Sequence, residues 1–210
     1  MSHPSDPSNP PLPPDELLAR ARSILFVCLG NICRSPTAQG IFEHLAAQRG
    51  VRHHLRVESC GTGAWHAGEL PDPRARAAAA RRGVTLASRA RVVVPARDFL
   101  APHDGGFDLI LPMDHQNRRD LLRLGAPPER VFLFRAFDPT LTHALTPEAI
   151  PETPAVPDPY TDAPGGAMFD EVFDMLERAS RGLLDRLFPL AVPTNNPGAP
   201  APAPAARRHE

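Results

Sequence analysis

The apolar run SILFVC at residues 23–28 restricts the fold more than any other segment of the chain. A short, continuous apolar run of this kind is typical of a strand that is buried on both faces. A loop containing Gly30 and Asn31 follows at once, and Ser35-Pro36 then predicts a helix N-cap with proline in the first turn. The core is therefore expected to include a strand–loop–helix unit.

Strands and helices alternate along the rest of the sequence. Alternation of this kind implies parallel strands joined by crossover helices, with ligands bound at the carboxyl ends of the strands. Three further strands are predicted at 55–59, 107–113 and 130–134, and helices are predicted at 36–50, 73–83, 115–125 and 168–188. The expected fold class is α/β, with four parallel strands flanked by helices.

The 27 prolines of the 210-residue chain are unevenly distributed. Residues 1–21 and 191–210 are rich in proline, lack an apolar pattern and are predicted to be disordered tails. Between them lies a predicted domain at 22–190, which is long enough for a core of ordinary size. A further proline-rich stretch, from Pro139 to Pro164, is expected to be a long loop inside this domain, and such loops are often functional.

Composition argues against several classes of function. A net charge of −1 argues against binding to nucleic acid or to an anionic membrane. The sequence has no apolar run of membrane-spanning length and no signal-peptide pattern at its start. Three cysteines are too few for a secreted disulfide scaffold, and reduced thiols are usual in the cytoplasm. A cytoplasmic protein that is monomeric or weakly dimeric is therefore expected.

Cys28 and Cys33 lie five residues apart, and three interpretations compete. A zinc site needs about four ligands, but Cys60 is the only other cysteine and no histidine pair stands beside it, so no metal is expected. A disulfide is disfavoured in a reducing compartment. Taken alone, Cys28 is equally well explained as a small buried side chain at a strand end, but the polar residues that follow then have no explanation.

A cysteine nucleophile accounts for the whole segment. Backbone N–H groups that curl toward a helix N-terminus form an anion site, and Gly30 and Asn31 tolerate the positive φ that such a curl requires. Arg34 can bind two phosphate oxygens through its planar guanidinium. This positive environment favours the thiolate form of Cys28, and the Ser35 hydroxyl can donate a hydrogen bond to its sulfur.

Four segments of the chain carry a family resemblance: ILFVCLGNICRSPTAQGIF, ESCGTGAWHAGELPDPRA, FDLILPMDHQN and VPDPY. In these segments, over roughly residues 22–188, the chain resembles the low-molecular-weight protein tyrosine phosphatases. The resemblance implies a four-stranded parallel sheet flanked by helices, with a phosphate-binding loop after the first strand and no cofactor. It also implies hydrolysis of protein phosphotyrosine through a cysteinyl phosphate. Besides Cys28 and Arg34, the implied loop comprises Leu29, Gly30, Asn31, Ile32, Cys33 and Ser35.

The leaving oxygen of the substrate needs a proton, so a carboxylic acid is expected above the loop. The tripeptide Pro-Asp-Pro occurs twice, at Asp72 and at Asp158. Asp72 has a sufficient role as the N-cap of the helix that follows, whereas Asp158 lies in the proline-rich loop, where its neighbours stiffen the backbone. Spacing favours Asp158 only modestly. The family resemblance assigns the general acid to Asp158, which would also activate water to hydrolyse the phosphoenzyme.

The resemblance also implies supporting roles for residues around the loop. Asn31 would hold the loop shape by bonding Ser59, although an ordinary serine at a strand end is equally consistent with the sequence. Asp114 would orient Arg34, although a role as the cap of the following helix explains the presence of this aspartate equally well. Aromatic side chains would stack on the substrate ring. The expected residues of the substrate cleft are Ile32, Trp65, His66 and Tyr160.

Three other functions are compatible with such a loop. The motif of protein-arginine phosphatases is similar, with threonine at the position of Ile32. Isoleucine at this position favours the phenol of a tyrosine substrate over the guanidinium of an arginine substrate. An arsenate reductase needs a downstream cysteine pair, which is absent after Cys60. A non-catalytic phosphate-binding module is expected to lack the nucleophile, the arginine or the acid. The expected partner is a phosphotyrosine-containing protein, with a bacterial tyrosine kinase as one candidate.

Cys33 also suggests a regulatory hypothesis. Peroxide would oxidise Cys28, and Cys33 would trap the product as a reversible disulfide that protects the nucleophile. The alternative is that Cys33 is only a small residue of the loop.

Overall fold

Three parallel strands form the sheet of this α/β protein. The computed structural model describes residues 12–142, 155–161 and 167–189. The strands are β1 (Ser23–Cys28), β2 (Arg56–Gly61) and β3 (Leu109–Pro112), and their order in the sheet is β2-β1-β3. Both outer strands run parallel to β1. The last residue of β1, Cys28, therefore lies at the centre of the carboxyl end of the sheet.

Seven helices surround the sheet in the described part of the chain. They are α1 (Asp15–Arg20), α2 (Arg34–Gln48), α3 (Pro73–Ala80), α4 (Pro95–Asp98), α5 (His115–Arg123), α6 (Pro139–Thr142) and α7 (Ala167–Leu187). The helices predicted at 36–50, 73–83, 115–125 and 168–188 are present as α2, α3, α5 and α7, with ends that differ by at most three residues. None of the described helices has the length and apolar character needed to span a membrane.

The prediction of a fourth strand at 130–134 is wrong. Within that segment only Val131 pairs with the sheet, through a single parallel bridge to Ile110. Turns of 3-10 helix at Pro128–Arg130 and Phe134–Phe137 enclose the segment and leave no room for a longer ladder. The side chains of residues 131–134 are nevertheless buried. The apolar run therefore indicated burial in the core and not strand pairing.

Two predicted boundaries also change. The end of the predicted tail 1–21 is helical, because α1 packs against α7 and buries Leu18 in the core. Helix α2 begins at Arg34, so the Ser35 backbone is already helical and its side chain bonds the loop instead of capping the helix. The predicted disorder at 1–11 and 191–210, and most of the long loop predicted from Pro139 to Pro164, lie outside the described residues.

Alternate residues of β1 point into two separate apolar clusters, one shared with α2 and α7 and the other with α5. In the first cluster the ring of Phe26 packs edge-on against Phe42, with centroids 5.9 Å apart, and against Phe134, with centroids 4.9 Å apart. Burial of a side chain of this size contributes roughly 1.5–3 kcal/mol. Packing on both faces thus fixes the position of the strand that ends at Cys28.

Gly182 provides a test of the close packing between α7 and the turn at Phe134–Phe137. A Cβ atom on Gly182 would lie 2.0 Å from the carbonyl oxygen of Phe137. Alanine improves helix propensity by about 1 kcal/mol, but overpacking against backbone costs about 1–3 kcal/mol. We expect Gly182→Ala to lower the free energy of unfolding in urea, and the exposed Arg181→Ala serves as the control. Wild-type stability of Gly182→Ala would contradict this packing.

Candidate active site

The segment 28–35 closes into a loop around the sulfur of Cys28. Cys28 ends β1, and α2 begins at Arg34. The backbone N–H of Asn31 donates to Sγ of Cys28 at 3.3 Å, and Oγ of Ser35 lies 3.0 Å from the same sulfur. Cys28 itself is only 3% exposed. Polar hydrogens and the N-terminus of α2 therefore meet at one point, which favours an anion there.

Asn31 connects this loop to two neighbouring segments. Its φ of 55° is the only positive value for a non-glycine residue in the described part of the chain. Its Nδ2 group donates to Oγ of Ser35 and to Oγ of Ser59, each at 2.9 Å, so the predicted contact with Ser59 is present. Its Oδ1 atom accepts the backbone N–H of Arg91 at 2.9 Å. Bonds on both ends of the amide offset the cost of the unusual backbone conformation.

The guanidinium of Arg34 is buried between two carboxylates. Its Nη1 group donates to Oδ2 of Asp114 at 2.6 Å and to the carbonyl of Val156 at 3.2 Å, and Nη2 donates to Oδ2 of Asp158 at 2.8 Å. Burial alone would lower the pKa of Arg34, but the negative charges of Cys28 and the carboxylates outweigh burial and raise it. Its Nε–H has no hydrogen-bond partner among the described residues, which leaves a buried donor for an anion.

Asp114 fulfils both of the roles that the sequence left open. Its Oδ2 atom accepts the hydrogen bond from Arg34, and its Oδ1 atom accepts the backbone N–H of Asn117 at 2.7 Å, which caps α5. One carboxylate thus attaches the guanidinium to the helix that follows β3.

The two Pro-Asp-Pro aspartates lie in different environments. Asp72 caps α3 by accepting the backbone N–H of Arg74 at 2.8 Å, and its carboxylate also binds the Arg74 guanidinium. Burial alone would raise the pKa of Asp72, but the hydrogen bonds from Arg74 outweigh burial and hold that pKa below its ordinary value. Asp158 has 45% of its side chain exposed and lines the same cavity as Cys28, whereas Asp72 does not line it.

A cavity of about 120 Å³ opens above Cys28. Two exposed aromatic side chains flank it, Trp65 at 74% and Tyr160 at 49% exposure. The ring of His66 lies 6.0 Å from that of Tyr160, and its Nδ1 atom is 2.8 Å from a carboxylate oxygen of Glu69. The structure brings to this cavity the predicted residues Cys28, Leu29, Gly30, Ile32, Cys33, Arg34, Trp65, His66, Asp158 and Tyr160. Asn31, Ser35, Ser59 and Asp114 lie behind it.

Cys33 contributes to the wall of the cavity and is itself buried. Burial raises the pKa of the Cys33 thiol above its ordinary value, so this thiol stays protonated at neutral pH and does not compete with Cys28 as a nucleophile. The three cysteines are all free thiols. The described residues contain no group of three or more side chains that could hold a metal ion. The disulfide hypothesis for Cys33 stays a prediction.

Residues 23–189 match the family model named low molecular weight phosphotyrosine protein phosphatase. The chain belongs to this family. A low molecular weight protein-tyrosine-phosphatase of Streptomyces coelicolor is 38% identical over 165 residues, which cover 77% of this chain and 90% of that protein. Low molecular weight protein-tyrosine phosphatase A of Mycobacterium tuberculosis is 38% identical over 163 residues, which cover 77% of this chain and 89% of that protein.

Solved structures show the same fold. A protein tyrosine phosphatase of Entamoeba histolytica superposes with a TM-score of 0.67 and 34% identity, covering 80% of this chain and 97% of that chain. A Drosophila arginine phosphatase superposes with a TM-score of 0.63 and 24% identity, covering 77% of this chain and 95% of that chain. At that identity the second likeness concerns the fold alone.

Two residues of this phosphatase site were not predicted from the sequence. Arg91 donates to Asn31 with its backbone N–H, so the type of its side chain gives no signal. Gln39 of α2 accepts the Ser59 hydroxyl at 2.7 Å. The sequence held a signal for this contact. Gln39 is a polar residue one helical turn after Ser35, on a helix otherwise rich in buried residues.

Replacing Asn31 tests whether its side chain maintains the phosphate-binding loop. Asn31→Ala removes both Nδ2 bonds and puts alanine at a φ that it rarely adopts. We expect the free energy of unfolding to fall by about 1–3 kcal/mol, and inorganic phosphate to raise the melting temperature less than in wild type. Ser59→Ala, which removes one partner of Asn31, should cause a smaller loss of both. Unchanged stabilisation of Asn31→Ala by phosphate would contradict this role.

Proposed function

We propose that this phosphatase hydrolyses protein phosphotyrosine through a cysteinyl-phosphate intermediate. Three groups that converge on one cavity support this reaction: the sulfur of Cys28, the guanidinium of Arg34 and the carboxylate of Asp158. They supply the nucleophile, the phosphate ligand and the proton donor that transfer of a phosphoryl group to cysteine requires.

Binding of the substrate phosphate requires an exchange of partners at Arg34. In the free protein its Nη2 group is bonded to Asp158, while Nη1 is held by Asp114. A phosphate dianion in the loop would take the donors Nε and Nη2 together, in the two-point geometry that guanidinium groups prefer. Asp158 would then be released from Arg34 and would face the bound substrate. Substrate binding would thus prepare the general acid.

The chemical steps follow from the positions of the side chains. The Cys28 thiolate attacks phosphorus, the bond from phosphorus to the tyrosyl oxygen breaks, and Asp158 gives its proton to the departing phenol. The resulting Asp158 carboxylate then takes a proton from water, whose oxygen attacks phosphorus as the sulfur–phosphorus bond breaks. The hydroxyl of Ser35, 3.0 Å from Sγ, would stabilise the departing thiolate. Inorganic phosphate and the original thiolate are the products.

The environments of the two candidate acids support Asp158. The hydrogen bonds from Arg74 keep Asp72 ionised and use its oxygens at the cap of α3. An ionised, fully bonded carboxylate has no proton to give. Asp158 lines the cavity and is bonded to a guanidinium that the substrate would occupy, so its carboxyl group would be released to face the leaving oxygen.

The shape of the cavity supports an aryl substrate. The sulfur lies at the bottom of the cavity, between the exposed rings of Trp65 and Tyr160, so a phosphate on a long, flat side chain would reach it best. Ile32 gives the cavity an apolar wall without a hydrogen-bonding group for a guanidinium. These features favour phosphotyrosine over phosphoarginine. A phosphotyrosine protein, such as a bacterial tyrosine kinase, would be the partner.

We further propose that the enzyme acts in the cytoplasm as a monomer or weak dimer. Free cysteines agree with a reducing compartment.

The first experiment compares wild type with Cys28→Ser on p-nitrophenyl phosphate, a phosphotyrosine peptide and the corresponding phosphoarginine peptide, with EDTA present. We expect metal-independent turnover by wild type, a higher kcat/KM for phosphotyrosine than for phosphoarginine, and no turnover by Cys28→Ser. Loss of activity in EDTA, or activity of the serine variant, would contradict the cysteine mechanism. A preference for phosphoarginine would identify an arginine phosphatase, and phosphate binding without turnover would identify a binding module.

Matched substitutions of the two aspartates test the acid. Asp158→Ala should lower turnover by about 10²–10⁴-fold, while p-nitrophenyl phosphate, which has a good leaving group, still phosphorylates Cys28. The trapped phosphoenzyme is measured by intact-protein mass after rapid quenching. Asp72→Ala should keep turnover far above that of Asp158→Ala and lose about 1 kcal/mol of stability through its missing cap. The opposite pattern between the two variants would move the acid to Asp72.

A further inference from the structure

The general acid lies on a short segment, residues 155–161, which is called the acid segment below. Val156 anchors it, because its side chain is buried and its backbone N–H donates to the carbonyl of Met113 at 2.8 Å. The other described hydrogen bonds from the body of the protein to this segment come from arginine side chains. The position of Asp158 therefore depends on these arginine contacts together with the buried side chains of Val156 and Pro159.

Arg135 holds one end of the acid segment. Its Nη1 group donates to the carbonyl of Ala155 at 3.0 Å. It forms no ion pair within the described part of the chain, and burial lowers the pKa of Arg135, an effect that the negative charge of Asp138 offsets only in part. The bond to Ala155 therefore places one end of the acid segment next to a side chain that comes from the body of the protein.

Arg74 holds the other end. Its Nη2 group donates to the carbonyl of Tyr160 at 3.0 Å and to Oδ2 of Asp72 at 2.9 Å. The backbone N–H of Asp72 in turn donates to the carbonyl of Ile32 at 2.8 Å. This chain of bonds runs from the acid segment through α3 to the phosphate-binding loop, so it fixes the distance between the acid and the loop.

The third arginine cannot hold the acid segment throughout the reaction. Arg34 binds Asp158 in the free protein, but the same Nη2 group is the one that a phosphate would occupy. Once phosphate binds, the contact between Arg34 and Asp158 is lost. The acid segment then depends on the Val156 anchor, on any remaining bond from Arg34 to Val156, and on Arg135 and Arg74.

We propose that Arg135 and Arg74 are positioning residues for the general acid, a role that presupposes the function proposed above for Asp158. They hold the two ends of the acid segment, on either side of Asp158, while Arg34 binds the phosphate. Neither side chain touches the reacting atoms. Their contribution to the rate is therefore expected only where the reaction needs the proton.

The test compares two substrates that differ in this need. Phenyl phosphate has a basic leaving group that requires a proton, whereas the leaving group of dinitrophenyl phosphate departs without one. Arg135→Met should lower kcat/KM for phenyl phosphate by about tenfold and that for dinitrophenyl phosphate by less than about twofold. Arg74→Met should change the ratio in the same direction. Arg135→Gln, which keeps a side-chain N–H donor, should recover part of the lost rate.

Arg130 provides a matched control. It is also partly buried, and it donates to the backbone carbonyls of Phe99, Leu100 and Phe107, before the amino end of β3 and away from the cavity. Arg130→Met should lower the melting temperature without changing the ratio of the two kcat/KM values. An equal effect of Arg135→Met on both substrates would show a general structural role and overturn the proposal.

A double-substitution cycle separates this proposal from the proposed function itself. In an Asp158→Asn background the acid is already lost, so adding Arg135→Met should not change the ratio further. A further selective loss for phenyl phosphate would show that Arg135 acts independently of Asp158 and would overturn the positioning role alone. If Asp158→Asn by itself leaves the ratio at the wild-type value, the assignment of the acid fails and the positioning role fails with it.

Discussion

The buried guanidinium of Arg34 is the group around which the rest of the site is arranged. A cation with so little exposure must have partners, because an unpaired buried charge is costly. One partner, Asp114, follows β3 by two residues, and the other, Asp158, lies on the acid segment. The parallel sheet brings the ends of β1 and β3 side by side, so the fold itself places the first carboxylate on one side of Arg34 and leaves the other side facing the cavity.

The two ion pairs of Arg34 differ in permanence. Asp114 is fixed from behind because its second oxygen caps α5. Asp158 is half exposed, and among the described residues its second oxygen accepts only the backbone N–H of Tyr160 within the same turn. The ion pair with Asp158 is therefore the easier of the two to exchange. In the proposed reaction an incoming phosphate would make this exchange, which would fill the anion site and free the acid together.

Local patterns predicted most of the fold and the position of Cys28 in the loop. The apolar run of β1, the periodicity of α7 and the cap residues of α3 and α5 act within a few residues, so the sequence reveals them. The prediction of a fourth strand was wrong because the apolar run at 131–134 meets the sheet at one bridge only. Whether an apolar run pairs with a sheet depends on tertiary contacts, which the local sequence does not reveal. Of the partners Ser59 and Arg91 of Asn31, only Ser59 could be predicted, because it contributes a side chain. Arg91 contributes a backbone N–H, which nearly every residue type has, so the sequence gives no signal for it.

The repeated tripeptide Pro-Asp-Pro shows where such local reasoning ends. At Asp72 the partner is Arg74, two residues away, and the contact forms with the helix that it caps. A partner that comes with the local fold is always present, so the carboxylate stays ionised and its role is structural. At Asp158 the partner is Arg34, more than a hundred residues away in the chain, so the contact forms only when the whole domain folds. Identical local sequences thus lie in different environments. One carboxylate has a partner that comes with the local fold, and the other has a distant partner that, in the proposed reaction, the substrate would take.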